Sequence, residues 1–129
     1  MLADTLYKNT LATMSENIEN SQSYNQFIIP NINLLMEELL DVENSIRIYN
    51  KQEPLAIAPT IEFLTDDVPY SDTVCRMVMP YGLAVLLCTG DDEYSKAGFF
   101  DSRYQTARQR YAKAIYVPLE DPYDTKDGD

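Results

Sequence analysis

Residues 79–111 read MPYGLAVLLCTGDDEYSKAGFFDSRYQTARQRY. An apolar helical run carries a proline and a glycine, an acidic break follows, and tyrosines are then spaced along a basic segment. Upstream of the quoted run, Ser71 or Asp72 offers a helix N-cap. From there Val74, Met77, Val78, Tyr81, Ala84, Val85 and Cys88 make one apolar stripe that ends near Thr89. Pro80 removes the N–H that would reach residue 76 and predicts a bend, whereas Gly82 lets another element approach the backbone closely. Gly90 reads as the C-terminal cap of this helix. Asp91, Asp92 and Glu93 place negative charge at the positive end of the next helix dipole. So short a turn predicts two antiparallel helices, the later one running to about Tyr116. Tyr94, Ala97, Tyr104, Ala107, Tyr111 and Ala114 alternate large and small along its packing side.

Working back toward the N-terminus, Leu6, Leu11, Met14 and Ile18 fall roughly on one face and predict a short first helix over about residues 4–17. The polar stretch ENSQSYN interrupts it, with Ser21 or Ser23 as the next cap. A second helix is predicted over about residues 24–43, where Ile28, Ile32, Leu35, Leu39 and Val42 recur at spacings of three and four. Pro30 near its front implies a late start or a kinked first turn. Between this helix and the cap at residue 71, SIRIY and TIEFL alternate β-branched or aromatic residues with polar ones, and Asn50, Pro54 and Pro59 punctuate them. That pattern predicts an arm over about residues 45–70, extended or built as a β-hairpin. The expected fold is mainly α. It consists of a four-helix bundle-like domain over residues 1–116 with the arm between helices 2 and 3, followed by an extended acidic tail over residues 117–129.

Composition narrows the function. The 129 residues suit one domain, and 45% hydrophobic content is enough for a core. Ten basic against twenty-one acidic side chains give a net charge of -11, which opposes docking on phosphate backbones or anionic membranes. No apolar run reaches the length of a membrane span and the N-terminus lacks a signal-peptide pattern, so a protein made and kept in a cytosol is expected. With no histidine, neither a Ser-His-Asp nor a Cys-His arrangement can be built. Phosphate-loop and dinucleotide fingerprints are missing too, and no cofactor is expected. The carboxylate clusters at residues 66–67 and 91–93 match no calcium loop and suit capping roles. Cys75 and Cys88 would lie about 20 Å apart on one straight helix, and with no third cysteine or histidine they read as reduced, buried thiols.

Half of the basic residues, Lys96, Arg103, Arg108, Arg110 and Lys113, fall within 18 residues and are interleaved with Tyr104 and Tyr111. One reading is a solvated helix face near a C-terminal dipole. The other is a basic stripe for an acidic partner surface, such as the acidic tail of a neighbouring copy. A basic helix and an acidic tail in one chain make head-to-tail association electrostatically reasonable, and a heterologous contact that closes gives a ring. Ten tyrosines and no tryptophan add a weak hint of assembly.

The succession FIIPNINLLMEELL, NSIRIY, FLTDDVPYSD and MPYGLAVLLCTGDDEYSKAGFFDSRY resembles the head-to-tail adaptor (connector, or head-completion) proteins of tailed bacteriophages. The resemblance covers about residues 24–111. It rests on order and spacing: Ile32-Asn33 in a helix, an extended segment, a proline-bearing helix, an acidic turn, and Phe100 to Tyr104 in the last helix. It implies a structural virion protein made in the bacterial host cytoplasm and residing in the virion neck. Such a protein forms a ring, typically of twelve copies, beneath the portal protein. The ring extends the DNA channel without sequence-specific binding and docks the next neck or tail protein, with no membrane involved. The subunit or portal interface would then draw on Arg103, Arg108, Arg110, Lys113, Tyr104 and Tyr111, on Ile46, Ile48 and Phe63 of the arm, and on Leu119 and Tyr123 of the tail. The strongly acidic tail departs from the family's portal-docking segment. The competing reading is a small acidic regulator that binds a basic partner protein as a DNA mimic. A mimic should space carboxylates along one face, whereas these acids gather at turns and in the tail.

Overall fold

In the computed structural model, which describes residues 1–15 and 26–114, one helix lies at the centre of the chain's packing. Helices α1 (Ala3–Thr13), α2 (Ile28–Glu38), α3 (Leu40–Tyr49), α4 (Met79–Gly90) and α5 (Tyr94–Tyr111) follow in order. Helix α4 packs against α5, α1 and α2. It buries Met79, Pro80, Gly82, Leu83, Ala84, Leu87 and Cys88, an apolar surface that runs most of the way round it. The fold is mainly α, and no strand occurs among the described residues.

Gly82 explains how the others come so close. A Cβ there would lie 2.6 Å from Leu35 Cδ1 of α2 and 2.8 Å from Tyr104 Cε1 of α5. Both partners therefore occupy the space a side chain would take. The α2 residues Ile28, Ile32 and Leu35, with Leu39 and Val42 beyond them, are all buried, as their spacing predicts. Leu6, Leu11 and Met14 of the first helix are buried with them, while Ile18, Ser21, Ser23 and Tyr24 lie outside the described residues. Pro30 is the third residue of α2, where an N–H has no intrahelical partner to lose.

Pro80 acts differently from the expected bend. The turn before α4, Val74–Val78, is a π-helical segment, and the α-helix begins at Met79 with the proline in its first turn. The wider turn absorbs the missing donor. It also rotates the apolar stripe: Val74, Cys75 and Val78 are buried, but Met77 is 44% exposed. The Ser71 hydroxyl makes no cap bond, and the Cys75 N–H is instead accepted by the Ser71 carbonyl.

Further expectations are corrected along the chain. SIRIY is not extended: Ile46 and Ile48 lie in α3, which follows α2 across an offset at Leu39. Helical continuity wins over local β-propensity because Val42 and Ile46 keep the helical spacing and stay buried. Helix α4 does end at Gly90, but the glycine does not take the left-handed conformation that closes it. Asp92 takes φ 59°, and the bonds Glu93 N–H to Cys88 O (2.9 Å) and Asp92 N–H to Thr89 O (3.2 Å) close a Schellman motif. Lys51, at φ 60°, ends α3 in the same way, with Gln52 N–H to Arg47 O at 2.7 Å and Lys51 N–H to Ile48 O at 3.0 Å. Helix α5 stops at Tyr111, and its buried side is Ala97, Phe100, Tyr104 and Ala107, with Tyr94 66% exposed.

Candidate functional site

The segment between α3 and the π-turn has no strand to hold it, yet its backbone is tied at both ends and in the middle. Asn44 of α3 donates from Nδ2 to the Leu55 carbonyl (2.9 Å) and accepts the Leu55 N–H at Oδ1 (2.7 Å). Asn33 of α2 does the same for Ile61, donating at 3.0 Å and accepting at 2.8 Å. Each carboxamide thus supplies the donor and acceptor that a neighbouring strand would supply. Farther along, Ala3 N–H and Asp4 N–H donate to the carbonyls of Asp66 and Leu64, and Val68 N–H donates to Met1 O. Glu43, 1% exposed, accepts Ser71 N–H at 2.8 Å and the Arg47 Nε–H at 2.7 Å. Arg47 in turn donates to the Pro69 carbonyl at 3.0 Å. Tyr70 donates its hydroxyl to the Met36 carbonyl, and burial raises its pKa well above that of a free phenol.

Fixing the backbone in this way turns certain side chains outward. Ile57 is 78% exposed and Phe63 is 62% exposed, although the intervening Ile61 is buried. Phe63 is held further by Asp66, whose Oδ2 accepts the N–H groups of Glu62 and Phe63, both at 2.9 Å. Those backbone donors lower the Asp66 pKa.

The basic stripe separates into engaged and open members. Arg108 pairs with Glu38 of α2 at 3.6 Å and lies over the Tyr104 ring, 5.4 Å from its centre. The Tyr104 hydroxyl also donates to Glu38, at 2.6 Å. Burial, followed by that hydrogen bond to a carboxylate, pushes the phenol far up and keeps it protonated. Lys113 lies over the Tyr49 ring at 4.8 Å and donates its backbone N–H to Ser45 Oγ at 3.0 Å. Lys96 pairs with Glu93 at 3.6 Å. Arg103 and Arg110 have no carboxylate partner among the described residues, and Arg103 rests over Phe99 at 4.6 Å. At 3.6 residues per turn, Arg108 lies about 150° round the helix from that pair.

Arg103 and Arg110 line one side of a cleft of about 220 Å³, with Ser102, Thr106 and Tyr111 beside them and Met77 and Tyr81 opposite. Tyr81 and Arg103 also border an adjoining hollow with Thr13, Phe99 and Phe100. The cleft is smaller than the 300–1,000 Å³ usual for small-molecule sites. Its arginines and aromatic rings suit the side chains of a docked segment. A separate cleft of about 490 Å³ lies between Phe27, Asn31, Leu86 and Asp91, with little titratable chemistry on its walls.

Of the interface residues expected from the sequence, Arg103, Arg110 and Tyr111 come together at this cleft, and Ile48 and Phe63 are exposed elsewhere. Tyr104 (3% exposed) and Ile46 (5% exposed) face the chain's own core. Leu119 and Tyr123 lie outside the described residues. Sequence reasoning missed Met77 and Tyr81 as cleft residues because it placed both on a continuous core stripe, which the π-turn rotates. It also missed the clamps of Asn44, Glu43 and Arg47, for which no local sequence signal exists. Cys75 and Cys88 are buried free thiols, and burial pushes the Cys75 thiol up to about 11. Among the described residues no group of three or more His, Cys, Asp or Glu could hold a metal ion, and no helix is long and apolar enough to cross a membrane. Comparison with protein-family models, curated proteins and solved structures returned no match.

Proposed function

We propose that this chain is a structural assembly protein of the head-to-tail adaptor kind. In this reading it forms a ring below the portal of a tailed bacteriophage, extends the DNA channel and docks the next neck or tail protein. The observation that carries the reading is the tied segment between α3 and the π-turn. Its backbone is clamped by Asn44 and Asn33 while Ile57 and Phe63 are held in solvent. Exposing large apolar side chains on a pre-ordered backbone lowers the entropy lost on association, which suits a surface meant to be covered. The four-helix frame, counting α2 and α3 as one offset rod, supplies the rigid body, and the acidic tail over residues 117–129 is its extended partner-binding element. A net charge of -11 fits a channel wall past which DNA slides without adhering. A virion neck location and a ring, twelve-fold as the resemblance implies, belong to the same proposal.

The test is the mass of the purified protein across concentration, alone and with a tailed-phage portal complex, by light scattering or native mass spectrometry. A closed oligomer, or a monomer that joins the portal in fixed stoichiometry, supports the reading. A protein that ignores portal and instead captures a basic DNA-binding protein returns the weight to the acidic regulator.

A further inference from the structure

We infer that the cleft between Met77, Tyr81, Arg103, Arg110 and Tyr111 receives the acidic C-terminal segment of a second copy of this chain. The inference deepens the assembly reading by naming one contact, and it rests on that reading. Three observations carry it.

The first is charge. In a chain of net charge -11, Arg103 and Arg110 are cations without a carboxylate partner among the described residues, on one open face, whereas Arg108, Lys113 and Lys96 are engaged within the fold. The residues beyond the described helices, VPLEDPYDTKDGD over 117–129, carry five carboxylate side chains and one lysine. Opposite charge of this density steers the encounter and fixes the register.

The second is spacing. Arg103 and Arg110 are seven residues apart on one face of α5, about 10 Å along the axis. Asp121, Asp124 and Asp127 recur every third residue, with Pro118 just before them and Pro122 among them. In a polyproline II conformation, three residues make one turn and advance about 9 Å, so the three aspartates line one side at nearly the arginine spacing. Leu119 and Tyr123 are then free to meet Met77, Tyr81 and Tyr111. This conformation is the one we assign to the bound segment.

The third is where the chain leaves the fold. Lys113 ties the end of α5 to Ser45 and Tyr49 of α3, whereas the opposite wall of the cleft is Met77 and Tyr81 of the α4 side. The last described residues thus lie against α3, whereas a different element completes the cleft. A head-to-tail contact of tail into neighbouring cleft is heterologous, the type that closes into rings.

The experiment uses two full-length variants that can be told apart by mass. One has a disabled cleft (Arg103→Glu with Arg110→Glu). The other has a neutralised tail (Glu120→Gln with Asp121→Asn, Asp124→Asn and Asp127→Asn). Circular dichroism confirms that both are folded, and native mass spectrometry reads the assemblies. Each variant alone is expected to lose at least tenfold in self-association. A 1:1 mixture is expected to form heterodimers and nothing larger, because only one live tail and one live cleft can meet. Raising salt toward 1 M, where the Debye length is about 3 Å, should dissolve the heterodimer. Parent-like assembly by the cleft variant, or a mixture without heterodimers, overturns the inference. Portal binding by the parent is measured separately, so the adaptor reading can survive that result. A parent that neither self-associates nor joins portal sinks both.

Discussion

Replacing Asn33 with alanine should free the middle of the tied segment while leaving the helices folded. The side chain makes two hydrogen bonds to one residue, Ile61, whose N–H and C=O otherwise have no strand neighbour. A typical net hydrogen bond contributes about 1 kcal/mol, and stranding each partly buried backbone group adds a fraction of its 1–3 kcal/mol desolvation penalty. Asn33→Ala should therefore cost about 2–3 kcal/mol, near the low end because the pair is only part-buried. Native-state hydrogen exchange is the appropriate assay, since the loss is local before it is global. The Ile61 amide should exchange roughly 30- to 150-fold faster, at about 1.4 kcal/mol per factor of ten. Amides at the centre of α4 should change only in step with global stability. Asn33→Asp keeps the acceptor but loses the donor, so it should fall between parent and alanine. Unchanged protection at Ile61 in Asn33→Ala would refute the idea that the carboxamide holds the segment, and with it the claim that Ile57 and Phe63 are pre-ordered.

Gly82→Ala should destabilise despite a helix-propensity gain of about 1 kcal/mol, because overpacking costs about 1–3 kcal/mol against a Tyr104 ring anchored on Glu38; urea unfolding midpoints decide it. Lys51→Gly should stabilise by about 0.5–1 kcal/mol, since a left-handed cap suits glycine, and thermal melts would register the gain as a higher Tm. Stability should fall as pH rises above 10, the ordinary tyrosine value, because Tyr70 and Tyr104 hold their protons longer when folded than when unfolded. The slope should approach about 1.4 kcal/mol per pH unit for each phenol, and denaturation at stepped pH, compared with Tyr104→Phe, measures it.

The sequence was legible where a periodic stripe and its burial agreed. The face from Ile28 through Val42 could be read because apolar spacing of three and four has one structural meaning over that length. Gly82 could be read as a close-approach position because a glycine inside an apolar helix leaves the space of a Cβ to a neighbour. What escaped were features set by contacts distant in the chain. Whether SIRIY is strand or helix depends on Ile46 reaching a core assembled from other elements. The function of Asn33 depends on Ile61, 28 residues away. The rotation that brings Met77 to the surface depends on how the chain accommodates Pro80, which propensity alone describes only as a break. At the cleft, the basic residues were visible as a cluster, but the division between engaged and open arginines required knowing that Glu38 faces α5.

The central position of α4 also bears on synthesis. Helix α1 packs mainly on α4, so the N-terminal helix lacks its main helical partner until Gly90 has been translated. At ordinary elongation rates that interval is roughly 4 to 15 s. During it α1 presents Leu6 and Leu11 to solvent, with the Asp4–Lys8 pair as its charged companion. The α4–α5 hairpin is by contrast local in sequence and forms the most extensive helix–helix packing among the described residues, so its contacts can close early. The first helix made is thus among the last to be sheltered. Truncation before residue 90 should leave an aggregation-prone fragment, while loss of α1 should spare the hairpin.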